Sequence, residues 1–343
     1  MKSKLILALV AALGLASPAQ AASGGLQFSL DARQAGFSAK ERVVVQLTVS
    51  NPGKDAGSLA AWQAPELDLD DALFAVTRDG KPVDYVGPFV KRSAADKSNT
   101  LRLDGGAKIV REIDLSDAYD FSQTGEYAIA YTVQGASKGE TFTSNAITLR
   151  IDGRARNEKS PERTASLVPQ LNSSVAFSGR CSATQQSTIL SAVAAASTYA
   201  NGANTYLAAA PSATPRYTTW FGAVTTTRWN TAKTHFSAIK DAFDNKPIVV
   251  DCKCRKSYYA YVYPNQPYKI YVCNAFWSAP MTGTDSKAGT LIHEMSHFNA
   301  VAATDDWAYG QTAAKSLAIS DPTKALDNAD SHEYFAENTP AQP

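Results

Sequence analysis

Residues 289–297 read Gly289-Thr290-Leu291-Ile292-His293-Glu294-Met295-Ser296-His297. His293 and His297 stand four positions apart, the spacing that puts two side chains on one face of an α-helix, where both imidazoles reach one metal ion. Glu294 lies beside them, placed to act on solvent at that ion rather than to bind it. The chain has only four His among its 343 residues. In such a chain this pentad arises by chance at a rate on the order of 10⁻³. It is therefore read as a metal-binding helix, not as two surface histidines around an ordinary helical glutamate.

A catalytic zinc site takes three protein ligands and leaves one position open. A metzincin would carry another His six residues after His297, but Ala303 stands there, which excludes that class. Glu333 or Glu337 from a downstream helix, or Asp306 nine residues after His297, remain as the third ligand.

Before this stretch, apolar residues recur at helical spacing over 182–207 and 226–243. A β-like interlude follows at 247–250 and 258–272, turned at Pro264-Asn265-Gln266, and helical patterns resume at 288–300, 306–318 and 323–338. Helices with a small sheet predict an α+β domain. Upstream, residues 22–150 alternate apolar and polar at 26–30, 42–49, 72–77, 108–115 and 127–133, separated by turn residues such as Asn51-Pro52-Gly53 and Gly105-Gly106. That pattern predicts an all-β, immunoglobulin-like sandwich. Between the two, 151–171 carries Arg154, Arg156, Lys159, Pro161 and Arg163 without apolar period, and reads as an exposed linker. The division is thus 1–21 signal peptide, 22–150 β-sandwich, 151–171 linker and 172–343 catalytic domain.

Lys plus Arg (33) against Asp plus Glu (32) leaves a net charge of +1. This balance argues against a nucleic-acid binder working through bulk charge and against a polybasic membrane anchor. With 44% hydrophobic and 19% charged residues, the chain can build real cores. Lys2 and Lys4, the apolar run from Leu5 to Ala16, and Ala19-Gln20-Ala21 read as a secretory signal cleaved after Ala21. Export permits disulfides among Cys181, Cys252, Cys254 and Cys273. A Cys252–Cys254 bridge would close a strained loop. Of the two connectivities left, Cys181–Cys252 with Cys254–Cys273 is the expected one. The Cys-x-Cys spacing with lone distant partners is poor for a zinc knuckle.

The stretch 289–297, followed by Asp306-Trp307-Ala308-Tyr309-Gly310, resembles the aspzincin signature of the deuterolysin family of metalloendopeptidases. The tail Asn328-Ala329-Asp330-Ser331-His332-Glu333-Tyr334-Phe335-Ala336-Glu337-Asn338 is similar to the peptidyl-Lys metalloendopeptidase branch. The likeness covers about 175–343, including Thr219-Trp220-Phe221-Gly222 and the four cysteines. With its β-type leader, the whole chain resembles secreted aspzincin exotoxins of Gram-negative pathogens.

The resemblance implies a zincin-type fold for the second domain and one Zn²⁺ held by His293, His297 and Asp306. It implies Glu294 as general base and Tyr309 as the hydroxyl that steadies the developing oxyanion. Zn²⁺ brings the pKa of a water it binds toward about 7, where a neighbouring carboxylate can take its proton. Tyr309 lies three residues after Asp306, so one helical turn would present both. His235 and His332 read as structural or surface residues rather than ligands. Asp330 and Glu333, also three apart, are implied to line a pocket that receives lysine on the C-terminal side of the cut bond. A paired carboxylate in a closed pocket suits an ammonium. Without the resemblance, the same pair reads as a solvated acidic face.

The expectation is therefore a secreted zinc endopeptidase cutting Xaa-Lys bonds, made as an autoinhibited pre-pro-protein, with protein or peptide substrates and its own leader as intramolecular inhibitor. The basic linker would be the processing site, one of its cations filling the acidic pocket. The alternatives are a broad deuterolysin-like protease and a non-catalytic surface adhesion module with a structural metal.

Overall fold

The computed structural model describes residues 25–134, 141–155, 167–170 and 173–343. The expected signal peptide and residues 156–166 and 171 of the expected linker lie outside them. Among the described residues, no helix is long and apolar enough to cross a membrane.

The N-terminal half is built from short strands: β1 (Gln27–Asp31), β2 (Gly36–Phe37), β3 (Val44–Ser50), β4 (Gly57–Ala60), β5 (Leu67–Asp68), β6 (Phe74–Arg78), β7 (Lys81–Pro82), β8 (Phe89–Lys91), β9 (Thr100–Leu103), β10 (Lys108–Asp114), β11 (Gly125–Gln134), β12 (Thr141–Thr143) and β13 (Ile147–Ile151). Two sheets, ordered β1-β3-β10-β5 and β2-β13-β11-β6-β7, enclose one core, with β12 on β11 and β4 paired to β9. Alternation explains the burial. In β3, Val45, Leu47 and Val49 point inward while their neighbours stay half-exposed, and Tyr127, Ile129 and Tyr131 of β11 do the same.

The C-terminal half has its own core. Its elements are β14 (Leu167–Gln170), β15 (Ser173–Ser178), α1 (Ala183–Leu207), α2 (Pro215–Phe221), α3 (Thr226–Asn245), β16 (Ile248–Asp251), β17 (Ala260–Val262), β18 (Lys269–Val272), α4 (Asn274–Ser278), α5 (Lys287–His297), α6 (Gln311–Ser320), α7 (Pro322–Leu326) and α8 (Ala329–Glu337). Helix α1 starts where Ser182 and Gln185 form a capping box. The sheet order is β14-β15-β16-β18-β17-β8. Its edge strand β8 thus comes from the N-terminal half and runs antiparallel to β17, with Ala260 opposite Lys91. Disulfides Cys181–Cys252 and Cys254–Cys273 brace one end of this sheet, in the expected pairing.

Four expectations need correction. The helix expected over 306–318 starts only at Gln311, so Asp306 and Tyr309 lie on an irregular loop, not on one helical turn. Asn328 Oδ1 accepts the Trp307 and Ala308 N–H groups at 3.0 and 2.9 Å, which ties this loop to the α7–α8 junction. The helix expected over 323–338 is two, α7 and α8, broken at Asp327-Asn328, where Asp327 O accepts the Asp305 N–H and the Ala329 N–H donates to Asp305 O. The helix expected over 288–300 ends at His297, where the chain turns toward Asp306. Finally, within the expected linker, residues 167–170 form strand β14, antiparallel to β15.

Candidate active site

Helix α5 begins where Ser286 Oγ accepts the Gly289 N–H at 2.9 Å, and all its residues are buried. After His297 the chain folds back, Thr304 N–H donating to Ser296 O at 3.2 Å. That return puts Thr304 O 2.6 Å from His297 Nδ1, which donates to it. Asp305 then pairs with the α7–α8 junction, its N–H bonded to Asp327 O at 2.7 Å, and Asp306 is carried to the imidazoles.

Three atoms converge there. His293 Nε2 and His297 Nε2 are 3.1 Å apart, and Asp306 Oδ1 lies 3.2 and 3.5 Å from them. Tetrahedral zinc with bonds of about 2.0–2.1 Å requires ligand separations of about 3.3 Å, so the triangle has the right size. The chemistry agrees. His297 keeps its proton on Nδ1 for Thr304, and Asp330 Oδ1 lies 2.9 Å from His293 Nδ1, an ion-pair contact on the far side of that ring. Both Nε2 atoms and a carboxylate oxygen thus face one another in a buried space, an arrangement that calls for a cation. Burial would lower the His293 pKa, but Asp306 and Asp330 outweigh it and push it up to about 10. Burial would raise that of Asp306, yet His297 and His293 hold it well below the carboxylate range. The residues present fit a zinc ion.

Glu294, fully buried, has its pKa raised to about 7 by burial, against the pull of His293 and His297. Its Oε1 accepts the Lys91 N–H at 3.2 Å, and its Oε2 has no hydrogen-bond partner among the described residues. Tyr309 is buried, and its hydroxyl donates to Asp71 Oδ2 at 3.4 Å. Burial, with Asp306 and Asp71 nearby, pushes the phenol pKa well up, so it stays a neutral donor.

The acids of α8 line a second pocket. Asp330 Oδ1 and Glu333 Oε2 each lie 2.8 Å from Lys91 Nζ, and Asp285 Oδ1 is 3.3 Å away. Asp330 Oδ2 also accepts the Gly310 N–H at 2.6 Å. Burial opposes ionisation of Asp330, but Lys91 and His293 hold its pKa down. Burial beside Glu337 and Asp330 pushes Glu333 up. The two acids read as a possible solvated face are therefore fully buried.

Two imidazoles and a carboxylate around a cation-sized gap, with a second carboxylate beside them, are the ligand set and base of a metal-dependent endopeptidase. This chain belongs to the aspzincin family. Residues 206–337 match the family model described as lysine-specific metallo-endopeptidase. An extracellular protease of Aeromonas hydrophila is 47% identical over 100% of this chain and 99% of that protein. A peptidyl-Lys metalloendopeptidase of Armillaria mellea is 38% identical over 86% of this chain and 83% of its own. A zinc peptidase from Grifola frondosa has a solved structure that is 50% identical, covers 48% of this chain and 100% of its own, and superposes with a TM-score of 0.46.

All seven site residues expected from sequence meet in this region. Sequence reasoning missed Lys91, Asp71, Asp285, Thr304 and Asn328. Asn328 stood within a quoted motif, but nothing in its neighbourhood signals that it holds the loop of Asp306. The cation in the acidic pocket was expected from the linker. It is Lys91 of β8, while linker residue Arg154 donates to Glu41 O at 3.0 Å.

Proposed function

We propose that the protein is a secreted endopeptidase, with one zinc ion per chain, that cuts peptide bonds on the N-terminal side of lysine. His293, His297 and Asp306 would hold the metal, which supplies positive charge to polarise the carbonyl and acidify water. Glu294, raised toward neutrality, takes the proton of the attacking water and passes it to the departing amide nitrogen. The neutral phenol of Tyr309 donates to the oxygen on which charge develops. Asp330, with Glu333 and Asp285, receives the lysine ammonium, and Asp330 also steadies the ring of His293.

One observation carries this reading above the rest: a lysine ammonium sits in the acidic pocket while that same residue's N–H rests on Glu294. A broad-specificity protease has no need of such a pocket, and an adhesion module has no need of a buried glutamate aimed at a peptide nitrogen. Glu294→Gln, assayed on casein with and without a chelator, should abolish turnover. An adhesion protein would keep its function. Cut sites in a peptide library should carry lysine on their C-terminal side, whereas scattered residues there would favour the broad protease.

We read the leader, 22–150, as an immunoglobulin-like pro-domain and 151–171 as the segment through which it is finally released, leaving 172–343 as the catalytic domain. Support comes from leader groups lying on the site: Phe89 stacks on His297 at 4.8 Å, and Asp71 holds the Tyr309 hydroxyl. Mass analysis of secreted, active enzyme that found 22–150 still attached would refute the pro-domain.

A further inference from the structure

We propose that the site treats β8 of its own leader as a substrate, and that Val90–Lys91 is a bond the enzyme cuts in itself. The inference rests on the functional reading above and adds the self-substrate and its register.

Three independent contacts fix that register. The strand adds to the open edge of β17, the manner in which extended peptides dock on sheets, with Tyr261 opposite Val90 and Tyr259 N–H donating to Lys91 O at 2.9 Å. The Lys91 ammonium, fully buried, is bound 2.8 Å from both Asp330 and Glu333. The Lys91 amide nitrogen, which would leave if the bond before it were cut, lies 3.2 Å from Glu294 Oε1, within reach for proton delivery. A shift of one residue would turn the lysine side chain away from the pocket, so edge pairing, pocket and general base all select one bond. Nothing in β8 marks it as an inert plug. The strand has no proline, and its cation is the one the pocket is proposed to select.

The step balances without any reactant besides water. The water oxygen bonds to the Val90 carbonyl carbon, and the Val90 C–Lys91 N bond breaks. Glu294 carries one water proton to the Lys91 nitrogen. The products are a carboxylate ending at Val90 and a new amino terminus at Lys91.

The test uses the full chain, purified in chelator and started with a zinc salt. It is followed by intact mass and N-terminal sequencing, with a short Xaa-Lys peptide added as an outside substrate. Wild type should yield an amino terminus at Lys91, at a rate unchanged by dilution, and Glu294→Gln should not. Lys91→Ala should slow cutting at that bond on the order of a hundredfold, the loss expected on removing one partner of a buried ion pair, while still cutting the added peptide. The wild-type and Glu294→Gln arms decide even if the Lys91 variant fails to fold. Wild type that cuts the peptide but leaves Val90–Lys91 intact would overturn the proposal and leave the proposed function standing. Wild type that cuts neither overturns both.

Discussion

Asp330→Asn keeps the shape of the side chain and removes its charge. The structure gives this carboxylate three partners: Lys91 Nζ at 2.8 Å and His293 Nδ1, as an ion-pair contact, at 2.9 Å on Oδ1, and Gly310 N–H at 2.6 Å on Oδ2. An amide cannot satisfy all three. With its oxygen toward Lys91, its NH₂ faces the Gly310 N–H; flipped, it faces the ammonium and the ring. Removing one partner of a buried charge pair costs about 2–4 kcal/mol, or roughly 30- to 1,000-fold in kcat/KM for a lysine substrate. The loss of support for His293 is separate, about 10- to 100-fold, and falls on every substrate. The assay compares kcat/KM on two peptides that differ only in lysine against norleucine. Circular dichroism and zinc content serve to check the fold and the site. Activity should fall on both peptides, and the preference for lysine should drop by the further 30- to 1,000-fold. An equal loss on both, with the preference intact, would show that Asp330 acts only through His293 and that the lysine pocket is misassigned.

Other perturbations test the scaffold. Asn328→Ala removes the acceptor for Trp307 and Ala308 N–H and frees the loop of Asp306, so zinc affinity should fall by about 10- to 100-fold; unchanged affinity in a zinc-buffer titration would contradict that role. His235 Nδ1 and His332 Nε2 are 2.9 Å apart, and burial lowers these pKa values to about 4 and about 3, so both rings are neutral in the fold. Unfolded, both take protons below about pH 6.5, so stability should fall with acidification between 6.5 and about 4 by up to about 1.4 kcal/mol per pH unit per ring. Urea melts of Glu294→Gln should show that slope, and adding His235→Phe and His332→Phe should remove this share of it. A slope indifferent to both histidines would refute the assignment. By chain entropy, opening Cys181–Cys252, separation 71, should cost roughly 4 kcal/mol, and opening Cys254–Cys273, separation 19, roughly 3. The reverse order in urea melts would contradict it.

What the sequence revealed was local. His293, Glu294 and His297 fall on one helix, and their spacing alone reports their shared face. The long helices α1 and α3 follow from apolar residues at helical intervals, and β3 and β11 from strict alternation. What stayed hidden was set by distant contacts. Asp306 and Tyr309 look helical in isolation, but Asn328, about twenty residues on, holds their loop. Strand β8 shows no alternation because Phe89, Val90 and Lys91 are all buried, enclosed on both faces by another part of the chain. Lys91 meets Asp330 across 239 positions, so local composition instead drew attention to the basic linker, where cations are dense and exposed.

The account requires one zinc ion to sit among His293, His297 and Asp306. The measurement is anomalous diffraction at the zinc edge from crystals of full-length Glu294→Gln, with zinc counted in solution for Asp306→Ala. One peak within about 2.0–2.2 Å of both Nε2 atoms and an Asp306 oxygen, with binding weakened in the variant, is the expected result. A peak held by His293, Asp330 and Glu333 instead, or zinc indifferent to Asp306→Ala, would contradict it.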